Sequence, residues 1–165
     1  MTYADSIRHK FNIKQLFYYF GQELSQMDTW KRMIIEGNQS FNTGRFYSAE
    51  NYYKIACDFA NNMALGNSKC SDVIASLVVS YQNLAELYFK NKQTELALSQ
   101  YQVLYEKLIG FIAQQQSPEF VVMIQKAIRK IGTELLYLTK KEGIDTLRSK
   151  QVLAKITATE KVKLH

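Results

Sequence analysis

The chain has 165 residues, 47% of them apolar and 22% charged, a size and balance that fit a single globular domain and exclude collagen-like, disulfide-stapled and wholly disordered classes. Its single proline leaves long segments free to be helical. The net charge of +6 is unevenly placed: residues 1–125 hold 11 Lys+Arg and 11 Asp+Glu, whereas residues 126–165 hold 10 and 4, so the whole excess is C-terminal.

No stretch reaches the roughly 18 consecutive apolar residues of a membrane span. The N-terminus carries Asp5, Arg8, Lys10 and Lys14 where a signal peptide needs an apolar run. The expectation is a soluble, cytoplasmic protein with no membrane partner. The two cysteines, Cys57 and Cys70, form no CxxC pair, and the two histidines are His9 and His165. No metal site, cofactor or catalytic constellation can be assembled from that set, and no glycine-rich phosphate loop or HExxH occurs. The chain is therefore read as no enzyme. Asn38-Gln39-Ser40 fits the glycosylation pattern but falls inside an expected helix and is read as chance.

In chain order, residues 5–27 form an N-terminal capping helix, or two, with Ile7, Phe11, Leu16, Phe17, Phe20 and Leu24 at core-like spacing. One reading has it hide the outer face of the first hairpin. The other has its surplus aromatics make a homodimer or partner contact anchored by Tyr18 and Trp30. Residues 28–65 form a first hairpin: a helix from Asp28 to Asn42, a turn at Thr43-Gly44-Arg45 with Gly44 in the left-handed position, and a helix carrying Ala49, Tyr53, Ala56, Ala60 and Met63 on one face. Gly66-Asn67-Ser68-Lys69 breaks the chain, and Ser71 or Asp72 caps the next helix.

Residues 71–113 repeat the design. Ile74, Leu77, Val78, Tyr81, Leu84, Ala85 and Tyr88 make one apolar stripe, and Ala97, Tyr101, Leu104, Leu108 and Ile112 make the other. The polar Lys90-Asn91-Lys92-Gln93 is long enough only for an antiparallel turn. Residues 117–157 form a third, degenerate unit. It opens on a Ser117 N-cap, Pro118 and Glu119, buries Phe120, Ile124, Ile128, Ile131, Leu135 and Leu138, turns at Lys141-Glu142-Gly143, and ends in a weaker helix capped by Asp145. A frayed basic tail occupies 158–165.

Superimposing the hairpins exposes an internal repeat. Gly37, Phe41, Ala49 and Tyr53 are followed 48 residues later by Ala85, Phe89, Ala97 and Tyr101. A further step of 47 carries Ala85 onto Gly132 and Tyr88 onto Leu135, while the second helix of that unit loses register. Small residues are needed where helices cross closely.

Gly37-Asn38, Phe41, Gly44, Phe46, Ala49, Tyr53 and Ala56 resemble the tetratricopeptide repeat (TPR) in residue type and spacing. Leu84-Ala85, Tyr88-Phe89, Ala97 and Tyr101 look like a second copy, with Lys92 and Thr94 in place of the turn glycine and aromatic. The period of 48 exceeds the ~34 of ordinary repeats, so the helices are longer. The resemblance implies an all-α, superhelical, TPR-like stack of antiparallel αα-hairpins, six to seven helices in all. Its first helices would line a concave groove holding a partner peptide. Some members grip a C-terminal carboxylate with asparagines and basic residues; Asn38, Asn83, Lys126 and Lys130 match those positions, and Ile34 stands where such members carry a lysine. As a general groove surface the residues are Lys31, Asn38, Asn42, Asn83, Glu86 and Lys90.

The function expected from these observations is a noncatalytic scaffold, adaptor or small chaperone binding a protein or peptide in the groove. The alternative is a nucleic-acid-associated helical repeat protein using the basic C-terminal third, although that segment carries no recognised nucleic-acid motif and little aromatic interleaving. Weak, nonspecific nucleic-acid binding is expected. The basic segment itself reads either as a solvated face or as a docking site for an anion.

Overall fold

The computed structural model describes residues 25–67, 70–114 and 117–158. Six helices cover them: α1 (Gln26–Asn42), α2 (Phe46–Asn67), α3 (Ser71–Lys90), α4 (Thr94–Gln114), α5 (Pro118–Lys141) and α6 (Leu147–Ala158). There is no strand among the described residues, so the protein is all-α as expected. The N-terminal segment through residue 24, with Tyr18 in it, and the tail beyond residue 158 lie outside the described residues. The single 1–165 domain expected from length resolves into two compact units, Met1–Leu87 and Tyr88–His165.

Three turns are built alike. Each is a helix C-terminus closed by a residue with positive φ: Gly44 at 73°, Lys92 at 61° and Gly143 at 67°. At the first, Gly44 N–H donates to Phe41 O (3.0 Å) and Arg45 N–H to Ser40 O (2.8 Å). At the second, Lys92 N–H donates to Phe89 O (3.0 Å) and Gln93 N–H to Tyr88 O (2.8 Å). At the third, Gly143 N–H donates to Lys140 O (3.2 Å) and Ile144 N–H to Thr139 O (2.8 Å). This paired bonding satisfies the last carbonyls of a helix and reverses the chain. Lysine thus occupies at 92 a conformation that glycine adopts without strain.

Helix starts depart from expectation in three places. First, α1 begins two residues early, at Gln26, because Ser25 is its cap: Asp28 N–H donates to Ser25 Oγ at 3.1 Å. Second, Ser71 and Asp72 do not cap α3 but form its first turn, the first helical carbonyl being that of Cys70, which accepts from Ile74 N–H at 3.1 Å. Third, Asp145 does not cap α6. Thr146 does, in a reciprocal pair: Ser149 N–H donates to Thr146 Oγ1 and Thr146 N–H to Ser149 Oγ, both at 3.1 Å. Asp145 lies one residue too early for that geometry and pairs instead with Lys150 at 2.8 Å. At α5, Ser117 holds the cap position but its hydroxyl donates to Glu119 Oε2 at 2.8 Å rather than capping the backbone.

In unit 1, α1 packs along α2 and buries Met33, Ile34 and Gly37, with Ala49, Tyr53, Ala56, Ala60 and Met63 buried from α2. The expected α3 stripe is buried throughout, from Ile74 to Tyr88. Phe41 and Phe46 meet edge to face across the turn, centroids 5.7 Å apart. In unit 2, α4, α5 and α6 pack against one another. All six expected apolar positions of α5, from Phe120 to Leu138, are buried, each contributing about 1.5 to 3 kcal/mol over an exposed side chain.

Two glycines sit directly against a large side chain of the neighbouring helix. A Cβ added to Gly37 would lie 2.5 Å from Tyr53 Cε1, and one added to Gly132 would lie 3.0 Å from Ile156 Cγ2. Gly37 and Tyr53 stand seven residues before and nine after Gly44. Gly132 and Ile156 stand eleven before and thirteen after Gly143. Counted from the turn, the last glycine contact is displaced by four residues on both helices, one helical turn farther out, although Gly132 is the position onto which the repeat carries Gly37. At the turn-counted positions of Gly37 and Ala49 the last hairpin has the larger Leu136 and Arg148. Leu136 is exposed instead, and the Arg148 guanidinium donates to Gln102 Oε1 on α4.

Candidate functional site

The exposed face of α1 carries Lys31, Ile35, Asn38 and Asn42 at the spacing of one helical stripe. Ile35 is 54% exposed, an apolar side chain on an otherwise polar face. Asn83 and Glu86 lie half-buried, one turn apart on α3. Asn38 joins the two helices. Its Oδ1 accepts from Asn83 Nδ2 at 3.3 Å and from Tyr53 Oη of α2 at 2.8 Å.

Tyr53 is the buried support of this arrangement. Its ring fills the space that Gly37 leaves open, at 3% exposure, and its hydroxyl surfaces beneath the Asn38 amide. Burial, and secondarily the Glu86 carboxylate nearby, push the phenol up to about 12, so Tyr53 is a neutral donor across the physiological range. With Asn38 Oδ1 accepting from two donors, the Asn38 NH2 group, the second Nδ2 hydrogen of Asn83 and Asn83 Oδ1 remain. They offer both donors and an acceptor, the two things a peptide group needs.

Five of the residues expected to form a groove thus sit on unit 1: Asn38 and Asn83 in direct contact, Lys31 and Asn42 on the same α1 stripe, and Glu86 on α3. Glu86 joins them through Tyr53. Lys90, Lys126 and Lys130 belong to unit 2, where all three are exposed. Ile34 is buried, so its position serves the core and no cation is displaced from the surface there. Trp30 is half-buried, and its Nε1 donates to Ser80 Oγ on α3 at 2.8 Å; its polar edge is engaged inside unit 1. Two residues of this face escape periodicity alone. Tyr53 reads as core by spacing, and the one signal of its second role is a phenol where phenylalanine would fill the same space. Ile35 falls off the apolar stripe of α1, which is the signal for an exposed apolar contact.

Among the described residues no group of His, Cys, Asp and Glu could hold a metal ion, and no helix is long and apolar enough to cross a membrane. The architecture is that of an all-α protein built from helices reversed at three like turns. Within that class, the chain belongs to the family described as "Protein of unknown function (DUF2753)", which matches residues 28–164. No curated protein and no solved structure matches it.

Proposed function

We propose that this protein is a noncatalytic, TPR-like interaction module that binds an extended segment of a partner protein on the α1–α3 face of unit 1. The observation that carries this reading is the Asn38–Asn83 amide pair, with the Tyr53 hydroxyl bonded to the same Asn38 oxygen, which leaves amide N–H groups and the Asn83 oxygen available to a peptide group. Such a pair bonds a peptide main chain in one orientation without reading its side chains, and little ordering entropy is lost because the amides are already fixed. Ile35 beside the pair adds an apolar contact, and Lys31 a cation at its edge.

Panning a random peptide library on the wild-type protein tests this. Affinities of the recovered peptides are then measured by calorimetry for the wild type and for Asn83→Ala, which leaves the Tyr53–Asn38 bond in place. Loss of a hydrogen-bonded pair in the centre of a contact predicts an affinity loss of about tenfold, at an unchanged melting temperature. N-methylation of the peptide at one central amide should cost a similar factor. Peptides that bind Asn83→Ala with full affinity, or a library that yields no binder, would exclude this face as the site.

A further inference from the structure

We propose that the solvent side of α5 is a second docking surface, and that it takes an acidic amphipathic peptide segment of a partner protein, carboxylates surrounding a small apolar centre. It is independent of the unit 1 face in both residues and chemistry.

Helix α5 is two-sided. Its buried stripe runs from Phe120 to Leu138. The opposite stripe gathers every basic residue of the helix: Lys126, Arg129, Lys130, Lys140 and Lys141, all exposed. Among the described residues none of these five makes an ion pair. The helix has two carboxylates, and neither neutralises this face. Glu119 sits in the first turn, where the Ser117 hydroxyl holds it below the usual carboxylate range. Glu134 is half-buried at the flank of the stripe. Glu142, one residue past the helix, pairs with Lys92 and is stabilised as a carboxylate by Lys141 as well. The row without a facing carboxylate is therefore Lys126, Arg129, Lys130 and Lys140, and such a row attracts an anionic partner and sets its approach.

The cations fall into two groups with an apolar centre between them. Lys130 and Lys140 are ten residues apart, about 15 Å along a helix. Between them Leu136 and Tyr137 are 44% and 58% exposed. Lys141 Nζ lies 6.0 Å from the centre of the Tyr137 ring, a cation–π contact that holds the ring in place before any partner arrives. An aromatic and an aliphatic anchor within a charged rim is the anatomy of a protein–protein contact. A phosphate backbone would use the cations but gain nothing from Leu136. A lipid surface needs a broad continuous apolar face, and the broad apolar face of α5 is already buried in unit 2.

The test uses four probes against the full chain at one salt concentration near physiological, read by fluorescence anisotropy. The first is a labelled 16-residue peptide with glutamates flanking a leucine and phenylalanine stripe. The second is the same peptide with serine in that stripe. The third is a labelled DNA duplex, and the fourth is labelled phosphatidylglycerol vesicles. The amphipathic acidic peptide should bind saturably and at least about tenfold more tightly than its serine counterpart, the worth of one buried anchor. Tyr137→Ser and the charge reversal Lys130→Glu should each weaken it several-fold, and both sites are exposed enough to leave helical circular dichroism and melting unchanged. Asn83→Ala should not affect it, which separates this surface from the unit 1 face. Equal binding of the two peptides, tighter binding of the duplex or the vesicles, or no saturable binding of the amphipathic peptide would overturn the proposal.

Discussion

In the α1–α2 hairpin a glycine, Gly37, lies tight against Tyr53 of the neighbouring helix, whereas in the α5–α6 hairpin the corresponding glycine contact is Gly132 against Ile156, one helical turn farther from the loop. The loops themselves are alike, each closed by a glycine with positive φ and the same pair of backbone bonds. Turn chemistry and helix crossing are thus set separately. The turn needs only a left-handed residue and two carbonyls. The glycine contact follows the side chains that each helix offers. With Leu136 and Arg148 at the positions that Gly37 and Ala49 hold relative to the first turn, the small-against-large contact of the last hairpin is at Gly132. That shift also changes the chemistry: the first crossing buries a tyrosine whose hydroxyl supports Asn38, and the last buries an isoleucine that offers no polar group.

The largest expected effect comes from filling the first crossing. Gly37→Ala should destabilise the protein by about 1 to 3 kcal/mol, because the added carbon meets a buried ring whose hydroxyl is tied to Asn38. Gly132→Ala should be close to neutral, since a helix gains about 1 kcal/mol from Ala over Gly and this offsets the milder crowding at Ile156. Equal thermal melts for the two variants would break the comparison.

The polar support of the first crossing has its own signature. Tyr53→Phe removes one hydrogen bond and should cost about 0.5 to 1.5 kcal/mol. It also changes the alkaline limb. The folded-state phenol lies near 12 against an ordinary value of 10.0, so its contribution is fully present below pH 10 and is lost as pH rises from there toward 12, where the unfolded chain has released the proton and the folded one has not. Stability measured by denaturant melts between roughly pH 9 and pH 12, the window of that titration, should fall less steeply with pH for Tyr53→Phe than for the wild type. Identical slopes would show that the phenol is not held neutral by the fold.

The smallest effects concern the turns. Gly44→Ala should lose about 1 kcal/mol, the cost of a side chain in the left-handed region, with open space around the added carbon. Lys92→Gly should gain a few tenths to about 1 kcal/mol. The relief of strain outweighs the loss of the Lys92–Glu142 pair at 2.9 Å, whose lysine is 78% exposed and so adds little. A destabilised Lys92→Gly variant would mean that the ion pair, rather than the backbone, governs that turn.

How much of this was legible in sequence follows from what each feature depends on. The apolar stripes of α2, α3, α4 and α5 were readable because a helix repeats its faces every 3.6 residues, as a periodic property of the chain itself; the exception is Ile112, expected on the α4 stripe but only half-buried near the end of that helix. Gly44 was readable because few residues suit its conformation. Lys92 showed only as a departure at the glycine position, since a lysine does not announce a left-handed turn. The α6 cap was misplaced onto Asp145 because Asp145 and Thr146 both suit a cap, and the reciprocal bonds of Thr146 and Ser149 form only once the backbone has bent. The candidate site was half visible. Asn38 and Asn83 stood out as polar positions on the first helices of two hairpins, but their contact and the role of Tyr53 were not visible.

The sequence by itself determined the all-α class, the three turns near 44, 92 and 143, and most of the buried faces of α2 to α5, because these depend on side chains a few positions apart along one helix. Only the tertiary structure decided that Ile34 is buried, that the last glycine contact lies one turn farther from its loop, that Tyr53 reaches Asn38 across fifteen residues of sequence, and that the chain divides at Leu87 into two units. Those outcomes depend on the volumes and hydrogen-bonding atoms that two helices bring to the same place, and no single stretch of sequence contains both partners.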